Sequence, residues 1–272
     1  MTEIIERQLI GKRPDPRLCE DGIFVNSDFI AVIDGVTSKG VQRWHDGLSS
    51  GGYAKEIILR ALEDIPRKTE RDEFFKILDR ALACAYSSET LHDSITEWLR
   101  ACIVVYSDFY KQIWSLGDCG CMINGEFCGS GKKIDEVLSD LRSLVIEKAV
   151  KDGMREDELY SDDCGRQAIA PFINMQLAFE NDADSRFGYG VLNGHGLNES
   201  FIATYNLSQG DTVVLASDGY PELCDTLEKS ERALEKALGA DPHCFKKYPG
   251  TKGLSQDNCS FDDRSYIKFT VC

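Results

Sequence analysis

The chain has 272 residues, 42% of them hydrophobic and 28% charged, which is enough for one large domain with a sizeable core. Its net charge of −15 argues against nucleic acid or an anionic membrane surface as a partner. No apolar run approaches the ~20 residues that span a bilayer, and the opening Met1-Thr2-Glu3-Ile4 lacks the basic start and apolar core of a secretion signal.

The elements follow in chain order. Glu3–Ile10 and Gly22–Val25 read as short strands, and Asp28–Ile33 follows the turn pair Asn26-Ser27. In 54–62, Ala54, Ile57, Ile58, Ala61 and Leu62 recur at helical spacing, and in 70–88 Phe74, Leu78, Leu82 and Ala85 form a second stripe. Strands return at Ala101–Tyr106, Gln112–Leu116 and Met122–Phe127, the last with a turn at Asn124-Gly125. Leu138, Leu141, Leu144 and Ala149 mark another helix. Residues 151–185 are charge-rich, broken by Pro171, and read as an excursion or flap over the sheet edge. Strands at Phe201–Tyr205 and Thr212–Ala216, a helix over Glu228–Leu238 and a strand at Ser265–Val271 close the chain. Strands and helices do not alternate regularly, so the expectation is an α+β fold with mostly antiparallel sheets covered by helices. With 7 prolines, no linker and no repeat, one domain over residues 1–272 is expected.

The 11 cysteines are scattered and form no CxxC pair, and Cys119-x-Cys121 is too tight for a zinc knuckle. His45, His92, His195 and His243 show no ligand spacing. A reduced, cytoplasmic protein is expected, with most cysteines as small core residues. The informative residues are acidic. Three carboxylate motifs abut apolar strands: Asp34 after Phe29–Ile33, Asp218 after Thr212–Ala216, and Asp262-Asp263 before Tyr266–Phe269. Buried carboxylates that converge repel one another unless a cation neutralises them. Oxygen-only ligands suit hard ions such as Mg²⁺ or Mn²⁺.

The order of motifs is specific. Glu20-Asp21 is followed by Ala31-Val32-Ile33-Asp34-Gly35, Trp114-Ser115-Leu116-Gly117-Asp118, Leu215-Ala216-Ser217-Asp218-Gly219 and Phe261-Asp262-Asp263-Arg264-Ser265-Tyr266-Ile267. From Glu20 to Ile267, nearly the whole chain, this resembles the PP2C (PPM) family of metal-dependent serine/threonine phosphatases, its bacterial branch in particular. The resemblance implies a four-layer αββα sandwich of two antiparallel sheets flanked by helices. It also implies two Mg²⁺ or Mn²⁺ ions and a weaker third. Asp34 would bridge the two ions, and Asp218 and Asp262 would hold the first. Glu20 and the Gly35 carbonyl would hold the second, with Asp21 just outside it, and Asp118 would help bind the third. Asp263 would sit behind these ligands. The implied chemistry is hydrolysis of phosphoserine or phosphothreonine in a phosphorylated protein by a hydroxide shared between the metals, with no phospho-enzyme.

The sequence departs from the family in three places. The His that many members carry after Asp-Gly is Val36 here. The phosphate-gripping Arg has Arg17 as its nearest candidate and Arg13 as runner-up. The loop after Asp34-Gly35 is altered, with Lys39 near the expected substrate entry. Thr251-Lys252-Gly253 reads first as a solvated loop and second as a substrate contact, Cys119 first as an inert buried thiol. A catalytically weak binding or signalling module and a phosphatase of a small phosphorylated metabolite are the alternative functions. An aspartyl-nucleophile phosphatase is set aside, because Asp34-Gly35-Val36 lacks the Asp-x-Asp pair.

Overall fold

A computed structural model describes residues 2–37, 40, 43–86, 94–129 and 131–272. The Lys39 and His92 expectations lie outside these residues. The N-terminal strands β1 (Glu3–Ile10), β2 (Asp21–Val25) and β3 (Phe29–Gly35) form where apolar and β-branched residues cluster. Asn26 turns the β2–β3 hairpin, its Oδ1 accepting the backbone N–H groups of Asp28 (2.9 Å) and Phe29 (2.7 Å). That register places Asp21 opposite Asp34.

The helices α1 (Ser50–Glu63) and α2 (Arg71–Tyr86) follow. Ser49 caps α1, its Oγ accepting the Gly52 N–H at 3.1 Å. Ala54, Ile58 and Leu62 bury one face of α1, and Phe74, Phe75, Leu78 and Leu82 one face of α2. Both pack on a sheet of order β2-β3-β4-β5-β8, in which β4 is Ala101–Ser107, β5 Gln112–Leu116 and β8 Ala203–Asn206. Phe74 lies at the centre of this layer, its ring 5.1 Å from Phe29 and 5.5 Å from Trp114.

The second sheet has the order β1-β10-β9-β6-β7, where β6 is Gly120–Ile123, β7 Glu126–Cys128, β9 Thr212–Ala216 and β10 Arg264–Thr270. All of its pairings are antiparallel, as are those of the first sheet. The two sheets face each other across Val32, Val104, Leu215, Ile267 and Phe269. Helix α5 (Leu227–Ala240) covers the outer face of the second sheet, tied to β10 by the Arg264–Glu231 ion pair at 2.8 Å. The layers are therefore helix, sheet, sheet, helix, the αββα arrangement expected from the sequence.

The structure corrects the sequence in the middle of the chain. Residues 164–175 form a helix, α4, that carries Pro171 inside it. The lost backbone hydrogen bond at Pro171 is offset by burial of Ile169 and Ile173 against Ile134 and Leu138 of α3 (Lys133–Lys151). The expected turn at Asn124-Gly125 is present, with both residues at positive φ (52° and 88°) joining β6 and β7 into a hairpin.

Removing the ring at the centre of the first helix–sheet layer opens a cavity that its neighbours cannot fill. Phe74→Ala is expected to lower unfolding stability by about 3–5 kcal/mol, read from the urea midpoint at unchanged slope.

Candidate metal centre

Strand ends from both sheets meet at one cleft of about 350 Å³. Asp34 arrives at the end of β3, Asp118 after β5, Asp218 after β9, and Asp262 just before β10. Close backbone approach lets them meet. A Cβ on Gly35 would lie 2.2 Å from the Gly51 carbonyl oxygen, and one on Gly219 would lie 2.0 Å from that of Asp263. Glycine is the only residue that fits either position.

Electrostatics divide the carboxylates into two sets. Burial, then the charges of Asp218, Asp21 and Asp118, push the Asp34 carboxyl well above the usual range. Burial, then Asp262 and Asp118, raise Asp218 to about 7, although its side chain opens onto the cleft. The side chains of Asp34 and Asp218 have no hydrogen-bond or ion-pair partner among the described residues. Asp262 is the opposite case. Burial would raise it, but Lys252 and Lys12 outweigh that and hold it below the ordinary carboxylate range. Lys12 Nζ lies 2.8 Å from Asp262 Oδ1, and Lys252 Nζ pairs with Oδ2. Asp118 is also lowered: burial opposes its charge, but Lys132, 2.6 Å from Oδ2, prevails. The Cys102 thiol also meets this carboxylate, while its buried Oδ1 has no nitrogen or oxygen donor among the described residues.

The remaining acidic residues stand behind this front. Glu20 accepts hydrogen bonds from Ser49 Oγ and Thr37 Oγ1 (2.8 Å) and lies 3.4 Å from Lys12 Nζ. Asp21 is buried and accepts from Ser217 Oγ (2.6 Å) and Ser265 Oγ (2.8 Å). Burial raises it to about 8 despite those bonds, with Asp262 and Asp263 adding to the effect. Asp263 rivets two turns together, accepting the Lys12 N–H at 2.8 Å and the Glu20 N–H at 3.1 Å. Gly35 donates its N–H to the Glu20 carbonyl at 3.0 Å.

Arg17 does not reach the cleft. Its side chain is 87% exposed and paired with Asp15 at 2.7 Å, whereas Arg13 lines the cleft. Among the described residues no histidine lines the cleft, and His45 pairs with Asp46 on the surface. Cys119 is buried, its thiol pushed well above the ordinary value by burial and by Asp34.

Lys12, Lys132, Arg142 and Arg166 were not singled out in the sequence. Arg142, fully buried, donates to the carbonyls of His243 (2.8 Å), Cys244 (2.9 Å) and Gly250 (3.0 Å) and pairs with Asp163 at 2.7 Å. It fixes the loop that delivers Lys252. Arg166 of α4 holds the same loop through the Thr251 carbonyl at 2.9 Å, and α4 forms one wall of the cleft through Arg166 and Ile173.

Among the described residues, no three His, Cys, Asp or Glu side chains converge as a ready-made metal cage. The donors nevertheless fit a hard divalent ion. They are all oxygen, and Asp34 and Asp218, without hydrogen-bond or ion-pair partners among the described residues, repel each other.

No family model matches the chain, and no curated protein matches it. Solved structures similar to it over its length include RsbX in complex with magnesium, at 12% identity, TM-score 0.47 and full coverage of both chains. The catalytic domain of the serine/threonine phosphatase PstP with two manganese ions is 14% identical, at TM-score 0.49 and 99% coverage of each chain. The PPM Ser-Thr phosphatase MsPP from Mycobacterium smegmatis is 12% identical, at TM-score 0.48, covering 99% of this chain and 100% of its own. With scores and identities this low, the chain's own residues must carry the function.

The raised carboxyls set a pH dependence for the metal-free protein. The folded state holds the Asp21 proton up to about pH 8, whereas the unfolded chain releases it near the ordinary carboxylate value. Its contribution to stability is therefore complete at acid pH and is lost as pH rises towards 8. The melting temperature in chelator is expected to fall between pH 5 and pH 8, and Asp21→Asn to flatten that fall.

Proposed function

We propose that the chain is a PP2C (PPM) family phosphatase that hydrolyses phosphoserine and phosphothreonine monoesters with the help of Mg²⁺ or Mn²⁺. The observation that supports it best is the convergence of Asp34, Asp118, Asp218 and Asp262, from four separate strand ends, on one open cleft. Asp34 and Asp218 would hold the ion, with Asp118 beside them. A divalent ion in such a place acidifies water and offsets phosphoryl charge.

The chain's own groups provide the rest. Lys12 and Lys252 keep Asp262 ionised. Arg13 at the cleft lining offers a guanidinium to the phosphoryl oxygens. Asp21, held by two serine hydroxyls, lies behind the front carboxylates. Ser49 and Thr37 orient Glu20. A phosphorylated protein side chain is the substrate class that suits an open cleft, and phosphopeptide against small-phosphate turnover separates this from a metabolite phosphatase.

The pairing of Lys12 and Lys252 with Asp262 favours a second reading, a non-catalytic binding module of the same family. Turnover decides between them. With Mg²⁺ or Mn²⁺, hydrolysis of p-nitrophenyl phosphate and of a phosphothreonine peptide is expected, abolished by EDTA and reduced to background in Asp34→Ala and Asp218→Ala. Metal binding with no turnover of either substrate would select the binding module. Arg17→Ala is expected to leave kcat/KM within about twofold of wild type, because a solvent-exposed ion pair contributes little. Arg13→Ala is expected to raise KM about tenfold or more, the effect of losing a charge-assisted hydrogen bond of about 1.5–3 kcal/mol.

A further inference from the structure

We propose that Cys121 and Cys128 are a modification site, closing a reversible cross-strand disulfide by exchange with a low-molecular-weight disulfide such as that of glutathione. The pair is independent of the phosphatase reading, since neither residue lines the cleft.

Strand register brings the two thiols together. In the β6–β7 hairpin Cys121 stands directly opposite Cys128, with the Met122–Phe127 and Ile123–Glu126 pairs between them and the turn. Directly opposed residues of an antiparallel pair lie about 4.5–5.5 Å apart at Cα. A disulfide spans roughly 4.4–6.8 Å, so no backbone movement is needed to close one. Side chains at opposed positions share a face, and here both enter the layer between the two sheets. Cys121 is fully buried, Cys128 is partly exposed, and both are free thiols close enough to share a hydrogen bond.

Exposure assigns the order of events. The Cys128 thiolate attacks one sulfur of the small disulfide, forming a mixed disulfide and expelling one glutathione. Cys121 then attacks Cys128 Sγ, forming the bond between the strands and expelling the second glutathione. Two protein thiols are oxidised, one glutathione disulfide is reduced, and the two thiol protons pass to the departing glutathiones. Burial, then Cys128, push the Cys121 thiol up, which suits it to the second step only. There its proximity to Cys128 compensates, because an aligned intramolecular step needs no encounter.

The bond fastens a weak edge. Strand β7 is three residues long, pairs with β6 alone and exposes Glu126 and Phe127. Short edges of this kind open locally at little cost. Beyond β7 the chain reaches Lys132, which holds Asp118 at 2.6 Å, and Asp118 lies just before β6. The cross-link therefore sits between the hairpin turn and the Asp118–Lys132 pair.

The test maps disulfides in the full chain. The protein is equilibrated with glutathione and its disulfide at neutral pH, quenched in acid, alkylated and cut after Glu126, which puts Cys121 and Cys128 on separate peptides. The two peptides are expected to be linked. The link is expected to survive an excess of reduced glutathione that returns the exposed Cys84, Cys259 and Cys272 to thiols, and to vanish in dithiothreitol. Amide exchange in β7 is expected to slow in the linked protein and recover on reduction. Cys121→Ser is expected to leave Cys128 as a mixed disulfide that the same excess of glutathione removes. In wild type, Cys128 held only as a mixed disulfide, joined to Cys119 or another cysteine, or left unmodified would overturn the proposal. Unchanged β7 exchange in the linked protein would refute the fastening. The wild-type map needs no variant, so a misfolded Cys121→Ser leaves the proposal open to refutation.

Discussion

Repulsion among carboxylates governs this molecule. Asp34, Asp118, Asp218 and Asp262 line one cleft, with Glu20, Asp21 and Asp263 immediately behind. In water such groups separate, but here two sheets bring them together because their strand ends coincide. The β2–β3 register sets Asp21 against Asp34, and the β9–β10 pairing carries Asp218 and Asp262 to the same edge. Packing of the hydrophobic layers sustains the arrangement, and cations relieve its cost.

The chain relieves that cost by three physical means. Hydroxyl donors hold the deepest carboxylates, as Ser217 and Ser265 do for Asp21 and Ser49 and Thr37 do for Glu20. Ammonium groups neutralise Asp118 and Asp262. The third means is protonation: Asp34 and Asp218 have no hydrogen-bond or ion-pair partner among the described residues, and their carboxyls are raised above the ordinary range. The α3–α4 pair belongs to the same scheme, because Arg142 and Arg166 shape the loop that brings Lys252 inward. The charge-rich middle of the chain is therefore part of the wall of the centre.

Arg17 shows how local chemistry can defeat a motif argument. It lies three residues before Glu20, but Asp15 accepts from both its backbone N–H and its guanidinium, closing a short local ring on the surface. A nearby acid two residues away in sequence captures the arginine before any distant group can. Lys12, eight residues before Glu20, enters the cleft because it extends the line of β1, which pairs with β10 right beside Asp262 and Asp263.

Sequence alone established an α+β class with antiparallel sheets covered by helices and pointed to Asp34, Asp218 and Asp262 beside apolar strands, whereas the αββα layering was legible only through the family resemblance. Apolar periodicity reports directly on burial, and a carboxylate at the end of an apolar strand is a local, legible pattern. Helix α4 escaped it because Pro171 masks the periodicity that Ile169 and Ile173 carry. Tertiary structure alone decided which cations meet which carboxylates. Lys12, Lys132, Arg142 and Lys252 reach partners that only the fold brings near, 250 residues away in the case of Lys12 and Asp262. Nothing local in a lysine's sequence neighbourhood encodes such a partner, because the pairing of first strand with last is set by the whole sheet.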